Sequence, residues 1–593
     1  MNISKNSLRL LTAGTLIITA ASAALAKPAL RESRVVTQPD GTSLTIRLVG
    51  DEHAHLYLTE DGCPIVFDKE LGYVYASVNA DGTNVATRVT AHNAGARTAA
   101  EVAVCLPLDS EAVSEILLTK ASKRMALREA SETTRRNKGY GLCETSFPST
   151  GEQKGLVILV QYQDVEFGSK NRTNTNYNAY SDSENAVLDY WNDMLNKEGF
   201  DGFGAVGSCH DWFRDNSTDA AGNPQFKPTF DVFGPVTLPH EMAHYGGNDF
   251  RGNDIAPYEM VIDACHLLDD QIDFSEYDRD GDGKVDNVYI FYAGLGEADY
   301  GGDDTVWPHS WDLRYAQAAF TLDGVTIDHY ACSNETDNSY GRPDGIGTFV
   351  HEFSHVMGLP DLYTTTYNDA YTPGNFSVLD SGPYNNQGRT PPNYSAYERY
   401  ALGWMEPEPF PYTGEFTLEP LASTNFSHIV TTKKDTEYFL LENRQQNGWD
   451  SHIPGHGMLI WHVDYVKSVF DSNTVNNRKN HQYVDLIEAN EKQQSYYANG
   501  HPFPGRNNVT SYEFKDWNKA RCGVTLSEIA ESDEGVISFH VETAQSGIES
   551  IESENYGKDT PEYFNLQGIR IENPSVGSIV IRRTGATSEK IRF

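Results

Sequence analysis

The amino-acid sequence predicts an α+β chain in which a mixed domain of helices and strands lies between two β-rich regions, with a small β tail at the end. Three observations predict this arrangement. The 593 residues are too many for one hydrophobic core and indicate several domains of roughly 100–200 residues each. Apolar runs typical of buried strands alternate with amphipathic helical patterns in the middle of the chain. Short strand patterns bounded by turn residues dominate on either side.

Composition excludes some partners. The chain has 84 acidic and 46 basic residues, which gives a formal net charge of −38. Such a charge repels nucleic acid and anionic lipid, so neither is an expected partner. The seven cysteines are widely spaced without a Cys-x-x-Cys pair, which argues against a cysteine zinc site. An odd number cannot all pair internally, so one or two disulfides and buried free thiols both remain open.

The N-terminus has the pattern of a secretory signal. Lys5 and Arg9 precede an apolar stretch that ends in Ala24-Leu25-Ala26, a typical cleavage sequence. We therefore expect residues 1–26 to be removed and the protein to be secreted, either extracellular or on the outer cell surface. A transmembrane anchor is the alternative, but the stretch is short and rich in alanine and threonine. No later stretch is apolar and long enough to span a bilayer.

Composition shifts divide the rest of the chain into four regions. The first is a β-rich, propeptide-like region that ends in a basic linker, Lys120–Lys138, where Arg135 and Arg136 would suit proteolytic removal. A solvated helix is the alternative for this linker. The second region is mixed, the third resembles a β-sandwich, and the fourth is the tail. Their predicted bounds are 27–142, 143–410, 411–545 and 546–593.

Two His-Glu-x-x-His strings occur, at His240–His244 and at His351–His355. On a helix this spacing places both imidazoles on one face, where they can bind one zinc ion. The glutamate between them can then act as the general base towards a water molecule. Pro239 precedes the first string and two glycines follow it directly, which weakens a helix there. The first string is therefore predicted to be a surface or cleft loop.

The second string has a helical context. Apolar residues recur around it at helical spacing, Gly358 allows the helix to end, and Asp361 can turn back as a third ligand. Carboxylate oxygen binds zinc at about 2.0–2.2 Å, so aspartate is an acceptable ligand. The sequence thus predicts one catalytic zinc ion held by His351, His355 and Asp361, with Glu352 as the general base. The alternative is a core helix with incidental histidines.

The extended pattern His-Glu-x-x-His-x-x-Gly-x-x-Asp resembles that of metzincin peptidases, with aspartate in place of their last histidine. Metzincins also place a methionine in a turn beneath the zinc. The corresponding segment here is 375–382, and Leu379 stands where the methionine would be expected. Leucine and methionine have similar volumes, so apolar packing can survive the change.

The run His351–Tyr363, HEFSHVMGLPDLY, is similar to the zinc motif of the immune inhibitor A-type metallopeptidases. Residues 306–311, 396–404, 438–445 and 455–464 agree with the same family, so the resemblance spans about residues 147–540. It implies a secreted endopeptidase that is made as a zymogen and hydrolyses peptide bonds of protein substrates. It also implies a metzincin-like catalytic domain followed by the β-sandwich.

The resemblance implies His351 and His355 as ligands and Glu352 as the base, while Glu442 stays open as an alternative to Asp361. The tail from Tyr563 onwards is similar to the C-terminal sorting domains of a Gram-negative outer-membrane secretion system. That similarity implies contact with a secretion machinery. One more small β-hairpin is the alternative.

A second metal site is predicted at Asp278, Asp280, Asp282, Lys284 and Asp286. Its carboxylates stand at positions 1, 3, 5 and 9 of a calcium-type loop, with glycine at position 6. Tyrosine replaces the glutamate of position 12, so the loop is not a full EF-hand. A solvated acidic turn is the alternative to a structural calcium ion.

Other residues are secondary candidates. Tyr384 could stabilise the oxyanion, although packing is the commoner role for such a tyrosine. Cys63 or Cys105 could bind the zinc in a zymogen. His309 and His462 have aromatic neighbours that favour a core role. The rival function is a non-catalytic surface adhesin on a degenerate peptidase scaffold, and a zinc amidase or esterase would share the same ligands.

Overall fold

A computed structural model describes residues 27–30, 32–51, 54–79, 83–125, 142–143, 147–168, 180–181, 183–249, 254–337, 342–366, 370–490, 495–543, 562–564, 570–571, 579–584 and 587–592. The predicted signal segment and the pair Arg135-Arg136 lie outside these residues. The chain divides into two compact units, Met1–Glu542 and Thr543–Phe593. Among the described residues, no helix has the length and apolar character needed to cross a membrane.

The helices of the described residues are short and all belong to the first unit. They are α1 (Ala99–Val104), α2 (Ser110–Met125), α3 (Ala186–Asn196), α4 (Cys209–Ser217), α5 (Met242–Gly246), α6 (Pro257–Leu268), α7 (Ile346–Val356), α8 (Ala396–Ala401), α9 (Leu421–Thr424) and α10 (Lys467–Asp471). Short 3-10 helices also occur, among them Glu297–Asp299 and Gly382–Tyr384.

The N-terminal region forms a six-stranded antiparallel sheet in which sequential strands pair. Its strands are β1 (Arg34–Thr37), β2 (Ser43–Asp51), β3 (Ala54–Thr59), β4 (Pro64–Asp68), β5 (Gly72–Val78) and β6 (Asn84–Thr90). A disulfide joins Cys63 to Cys105. The described part of the basic stretch from Lys120 is the end of α2, not a linker: Lys120 is buried, and its ammonium donates to the carbonyl of His55 at 3.2 Å.

The central sheet has the order β10-β13-β9-β7-β8, with β14 beside β13. Its strands are β7 (Gly151–Gln161), β8 (Phe226–Thr237), β9 (Val288–Leu295), β10 (His309–Asp312), β13 (His329–Asp337) and β14 (Arg342–Pro343), and β11 (Phe320–Leu322) pairs separately with β12 (Val325–Ile327). The pairs β7–β8, β7–β9 and β9–β13 are parallel. The apolar runs at 155–162 and 287–294 lie in β7 and β9, and the amphipathic pattern at 185–195 forms α3.

Apolar clusters cover both faces of the central sheet. One cluster joins Val157 and Phe291 of the sheet to Phe349 and Phe353 of α7. The other joins alternate sheet residues, Ile158 among them, to the buried face of α6. Because neighbouring strand residues point to opposite faces, a strand buried on both sides is apolar throughout, which is the pattern of β9. Helix α7 is thereby fixed against the sheet.

Two further sheets follow the central one in the first unit. Their orders are β15-β17-β18-β19-β20 and β16-β23-β22-β21. Their strands are β15 (Glu408–Pro409), β16 (Gly414–Leu418), β17 (His428–Thr431), β18 (Glu437–Arg444), β19 (Gly457–Asp464), β20 (Val484–Ile487), β21 (Tyr512–Lys515), β22 (Arg521–Glu531) and β23 (Ile537–Thr543). Both sheets contribute to one apolar cluster that contains Phe439, Ile460, Phe514 and Phe539.

The described residues of the second unit form a four-stranded antiparallel sheet of order β25-β24-β26-β27. Its strands are β24 (Glu562–Phe564), β25 (Arg570–Ile571), β26 (Ile579–Thr584) and β27 (Thr587–Arg592).

Candidate metal centre and active-site cleft

Helix α7 carries the second His-Glu-x-x-His string, as predicted, and every one of its residues is buried. Its first turn approaches the loop 383–388 very closely. A β-carbon on Gly345 would lie 2.0 Å from the carbonyl oxygen of Gly388, and one on Gly347 would lie 2.1 Å from that of Pro383. Gly358 ends the helical segment with a φ of +94°, a conformation that favours glycine. Both ends of α7 are therefore fixed by glycines.

The two imidazoles of α7 are oriented by backbone carbonyls. His351 Nδ1 lies 2.7 Å from the oxygen of Val378, and His355 Nδ1 lies 2.8 Å from that of Leu359. A carbonyl only accepts hydrogen bonds, so each Nδ1 must carry the proton and, in the neutral ring, each Nε2 keeps its lone pair. The two Nε2 atoms are 3.1 Å apart.

Asp361 completes the group from the chain that follows α7. Its Oδ1 lies 3.4 Å from Nε2 of His351 and 3.2 Å from Nε2 of His355, and all three side chains are fully enclosed. Glu442, the alternative ligand, is engaged elsewhere: one of its oxygens accepts the N–H of Ala396 at the start of α8, and the other lies 3.2 Å from Arg444 Nη1. Burial raises the pKa of the Glu442 carboxyl, and Arg444 opposes that effect.

The side chain that orients Asp361 comes from the region of the two later sheets. Asn473 Nδ2 donates to Asp361 Oδ2 at 2.7 Å, and Asn473 Oδ1 accepts the backbone N–H of Asp361 at 2.8 Å. The amide thus occupies one carboxylate oxygen and leaves Oδ1 directed at the imidazoles. Asn473 has a φ of +49°, a conformation that asparagine tolerates better than most residues. Sequence reasoning missed this residue, because it is 112 positions from Asp361 along the chain.

This donor set fits a zinc ion. Three atoms with lone pairs converge within 3.1–3.4 Å of one another, and the buried Asp361 Oδ1 has no hydrogen-bond donor. Ligands held about 2.1 Å from a tetrahedral zinc ion are about 3.4 Å apart. Neutral imidazole nitrogen and carboxylate oxygen also form a donor set that suits zinc.

The N-terminal end of the described chain lies against α7. The backbone N–H of Lys27 donates to Glu352 Oε1 at 2.9 Å, and the carbonyl of Lys27 accepts the indole N–H of Trp307 at 3.0 Å. The hydroxyl of Tyr384 donates to the carbonyl of Pro28 at 2.7 Å. Glu352 and Tyr384, which the sequence singled out, therefore both hydrogen-bond to the backbone of residues 27–28. Trp307 makes a third such bond, which sequence reasoning did not predict.

The first His-Glu-x-x-His string has a different structure. His240 and Glu241 precede the one-turn helix α5, and His244 lies in it, so the string does not occupy one helix. His240 and His244 are exposed, with ring centroids 4.0 Å apart and ring planes tilted by 30°, and His244 Nε2 lies 2.8 Å from a carboxylate oxygen of Glu259. This agrees with the prediction of a surface segment.

The residues of the predicted calcium loop lie close together in part. Asp278, Asp280 and Asp282 bring carboxylate oxygens within 4.8 Å of one another, and Asp286 is buried where it accepts the backbone N–H of Arg279. Lys284 is half-buried, and its backbone N–H donates to Asp282 Oδ1 at 2.9 Å. 

Two zymogen candidates are corrected. Cys63 and Cys105 form a disulfide, so neither offers a thiolate to a metal. His309 and His462 are buried among aromatic rings, as expected: His309 lies between the carbonyl of Trp307 and the hydroxyl of Tyr330.

Comparisons with known proteins match the part of the chain that carries this group. Residues 146–405 match the family model described as "Immune inhibitor A peptidase M6, catalytic domain". Immune inhibitor A of Bacillus thuringiensis subsp. alesti is 27% identical over 275 residues, which are 41% of this chain and 38% of that protein. The pre-pro-metalloprotease PrtV of Vibrio cholerae serotype O1 (strain M66-2) is 26% identical over 279 residues, 42% of this chain and 29% of that protein.

The chain therefore spans well under half the length of these relatives. The helix, both imidazoles and Asp361 all lie within the matched residues. Residues 146–405 are therefore similar to the catalytic domain of the immune inhibitor A peptidases, M6.

Proposed function

We propose that this protein is a secreted, zinc-dependent endopeptidase that is made as a zymogen. The observation that carries the proposal is the convergence of His351 Nε2, His355 Nε2 and Asp361 Oδ1 within 3.1–3.4 Å. Three acceptor atoms this close repel one another unless a cation lies between them, and these three would hold one zinc ion. The chemistry that bound zinc supplies is Lewis-acid polarisation of the scissile carbonyl and of the attacking water.

Glu352 would be the general base. It follows His351 directly on the buried helix, so its carboxylate lies beside the two imidazoles. It would take the proton of the attacking water and pass it to the nitrogen that leaves. The N–H of Lys27, 2.9 Å from Glu352 Oε1, marks where that nitrogen would lie. Tyr384, already donating to a peptide carbonyl in the cleft, would help to hold the substrate chain.

The contacts of residues 27–30 support a zymogen. Lys27 and Pro28 hydrogen-bond to Glu352, the indole of Trp307 and the hydroxyl of Tyr384. A substrate would need the same groups. The backbone N–H of Leu30 donates to the carbonyl of Ala298 at 3.2 Å, so the segment continues along the wall of the cleft. Peptide substrates would gain access only after this segment leaves.

Several finer assignments stay predictions. They are secretion through the signal at residues 1–26, sorting through the tail, and structural calcium at residues 278–286. The adhesin alternative draws on Leu379, which replaces the expected methionine. Leu379 is fully buried, and its carbonyl accepts the N–H of Leu362 next to Asp361. The leucine thus fills the position under the metal site, which supports the enzyme over a degenerate scaffold.

The test compares Glu352→Gln with a matched change in the first string, Glu241→Gln. Both full-length proteins would be nicked by limited proteolysis, their zinc content measured, and their hydrolysis of casein followed. We expect Glu352→Gln to keep about one zinc ion per chain and to lose at least about 10³-fold in rate, since the base is removed but the ligands remain. Glu241→Gln should behave as the wild type. Casein cleavage retained in Glu352→Gln would refute the assigned base, and a wild type that binds zinc but cleaves nothing would favour the adhesin.

A further inference from the structure

The side chain of Lys27 enters a pocket beside the general base. Its ammonium lies 3.2 Å from Asp299 Oδ2, 3.0 Å from Thr348 Oγ1 and 3.9 Å from Asp344 Oδ2. The ring of Tyr384 lies 4.4 Å from the same nitrogen and adds a cation–π contact. The lysine and both aspartates are almost completely removed from solvent.

The pocket is built independently of the lysine. Asp299 ends the short 3-10 helix Glu297–Asp299 after β9, and Asp344 lies directly before α7. Asp344 Oδ1 accepts the N–H of Gly345 at 3.0 Å, which ties it to the helix start. The amide of Asn334, on β13, lies 3.5 Å from Asp299 Oδ2. Three elements of the catalytic domain thus bring two carboxylates to one buried place.

Buried carboxylates of like charge favour a cation between them. Burial raises the pKa of Asp299, and Lys27 opposes that rise. Burial likewise disfavours the ammonium of Lys27, but Asp299 and Asp344 outweigh it, so the pKa of Lys27 lies above its ordinary value. A neutral or acidic side chain in this pocket would leave both carboxylates without a cation.

The backbone of Lys27 shows which substrate position the pocket serves. Its N–H occupies the place beside Glu352 where a leaving nitrogen would receive its proton. The residue that owns this nitrogen is the first one after the scissile bond. We propose that the pocket formed by Asp299, Asp344 and Thr348 selects lysine at that position, so that preferred protein substrates are cut on the amino side of lysine. This inference rests on the proposed peptidase function.

The size of the preference follows from the contacts. The lysine makes charge-assisted hydrogen bonds to a buried carboxylate and one to a hydroxyl. A hydrogen bond of this kind contributes about 10- to 150-fold in kcat/KM. Arginine should follow lysine, because its larger planar head fits a pocket shaped around a compact ammonium less well. Glutamate should be the poorest substrate residue.

The experiment uses full-length protein nicked by limited proteolysis and a set of peptides identical except for the residue after the cleavable bond: lysine, arginine, norleucine, glutamine or glutamate. Cleavage sites in casein would be identified in parallel from the new N-termini by mass spectrometry. We expect kcat/KM for lysine to exceed that for norleucine by at least about tenfold, and the new N-termini to be enriched in lysine.

Asp299→Asn tests the pocket and leaves in place the hydrogen bond between Asp344 and the start of α7. It should reduce the ratio of kcat/KM for the lysine peptide to that for the norleucine peptide at least about fivefold. The matched control is Asp270→Asn, at an exposed site after α6. Equal kcat/KM for lysine, norleucine and glutamate in the wild type would overturn the inference and leave the peptidase intact. Failure to cleave any peptide, with zinc bound, would overturn both.

Discussion

Replacing Asn473 should weaken zinc binding without touching a proposed ligand. Asn473→Gly removes the side-chain amide, and glycine adopts the φ of +49° at this position without strain. It deletes the 2.7 Å bond to Asp361 Oδ2 and the 2.8 Å bond from the Asp361 backbone N–H. A hydrogen bond to a charged group contributes about 1.5–3 kcal/mol, and a neutral one about 1 kcal/mol.

Only the part of this loss that differs between the zinc-bound and zinc-free protein changes the affinity. Residues that orient metal ligands typically contribute 10- to 100-fold in metal affinity, which is about 1.4–2.7 kcal/mol. This free energy does not exceed the combined contribution of the two hydrogen bonds. Asn473→Asp should be worse than Asn473→Gly, because it places a second carboxylate oxygen 2.7 Å from Asp361 Oδ2 in a buried site.

The assay is competition for zinc against a chromophoric chelator, at fixed pH, with the full-length protein. Asn477→Gly is the matched control: it lies in the same loop, but its side chain donates to Thr365 Oγ1 at 2.8 Å and not to Asp361. We expect the control to bind zinc within about threefold of the wild type. The reasoning would be refuted if both Asn473 variants bound zinc as tightly as Asn477→Gly, since the amide would then have no part in holding the carboxylate.

Two further predictions concern the N-terminal region. Replacing Cys63 and Cys105 by serine should destabilise that region by about 4 kcal/mol, because the disulfide closes a loop with a sequence separation of 42 and so restricts the unfolded chain. Trypsin should then digest the region faster, and an unchanged digestion rate would contradict the prediction. Lys27→Glu in the full chain should raise casein hydrolysis before any processing, because its carboxylate would meet the two aspartates of the pocket. Lys27→Arg should stay latent, and equal latency in both variants would show that the ammonium does not hold the segment in place.

The sequence was sufficient for the parts of the site that are close along the chain. Histidines at i and i+4, a glycine that ends the helix and an aspartate three positions later belong to one local pattern, so α7 and Asp361 could be placed without a fold. The failed helix of the first string was predictable for the same reason, from Pro239 and the glycines after His244. The strands β7 and β9 followed from their uninterrupted apolar runs.

The rest depended on contacts between distant residues. Lys27 and Glu352 are 325 positions apart, and Asn473 and Asp361 are 112 apart. No periodicity records such a pairing, because a single lysine or asparagine in a polar segment is common on any surface. The assignment of Lys120 to a linker was wrong for a related reason: its positive charge suggested solvent, whereas the fold buries its stem and pairs its ammonium with a carbonyl.

The bond between Glu442 and the start of α8 bears on how such proteins can diversify. The family match stops at residue 405, yet Glu442, on β18, accepts the N–H of Ala396 inside the matched domain, and Asn473 does the same for Asp361. A gene fusion that kept residues 146–405 and exchanged everything after them would remove the hydrogen-bond acceptors of the N–H groups of Ala396 and Asp361. Recombination at that boundary should therefore be rare in nature, and a designed chimaera should carry its own replacements for these two side chains.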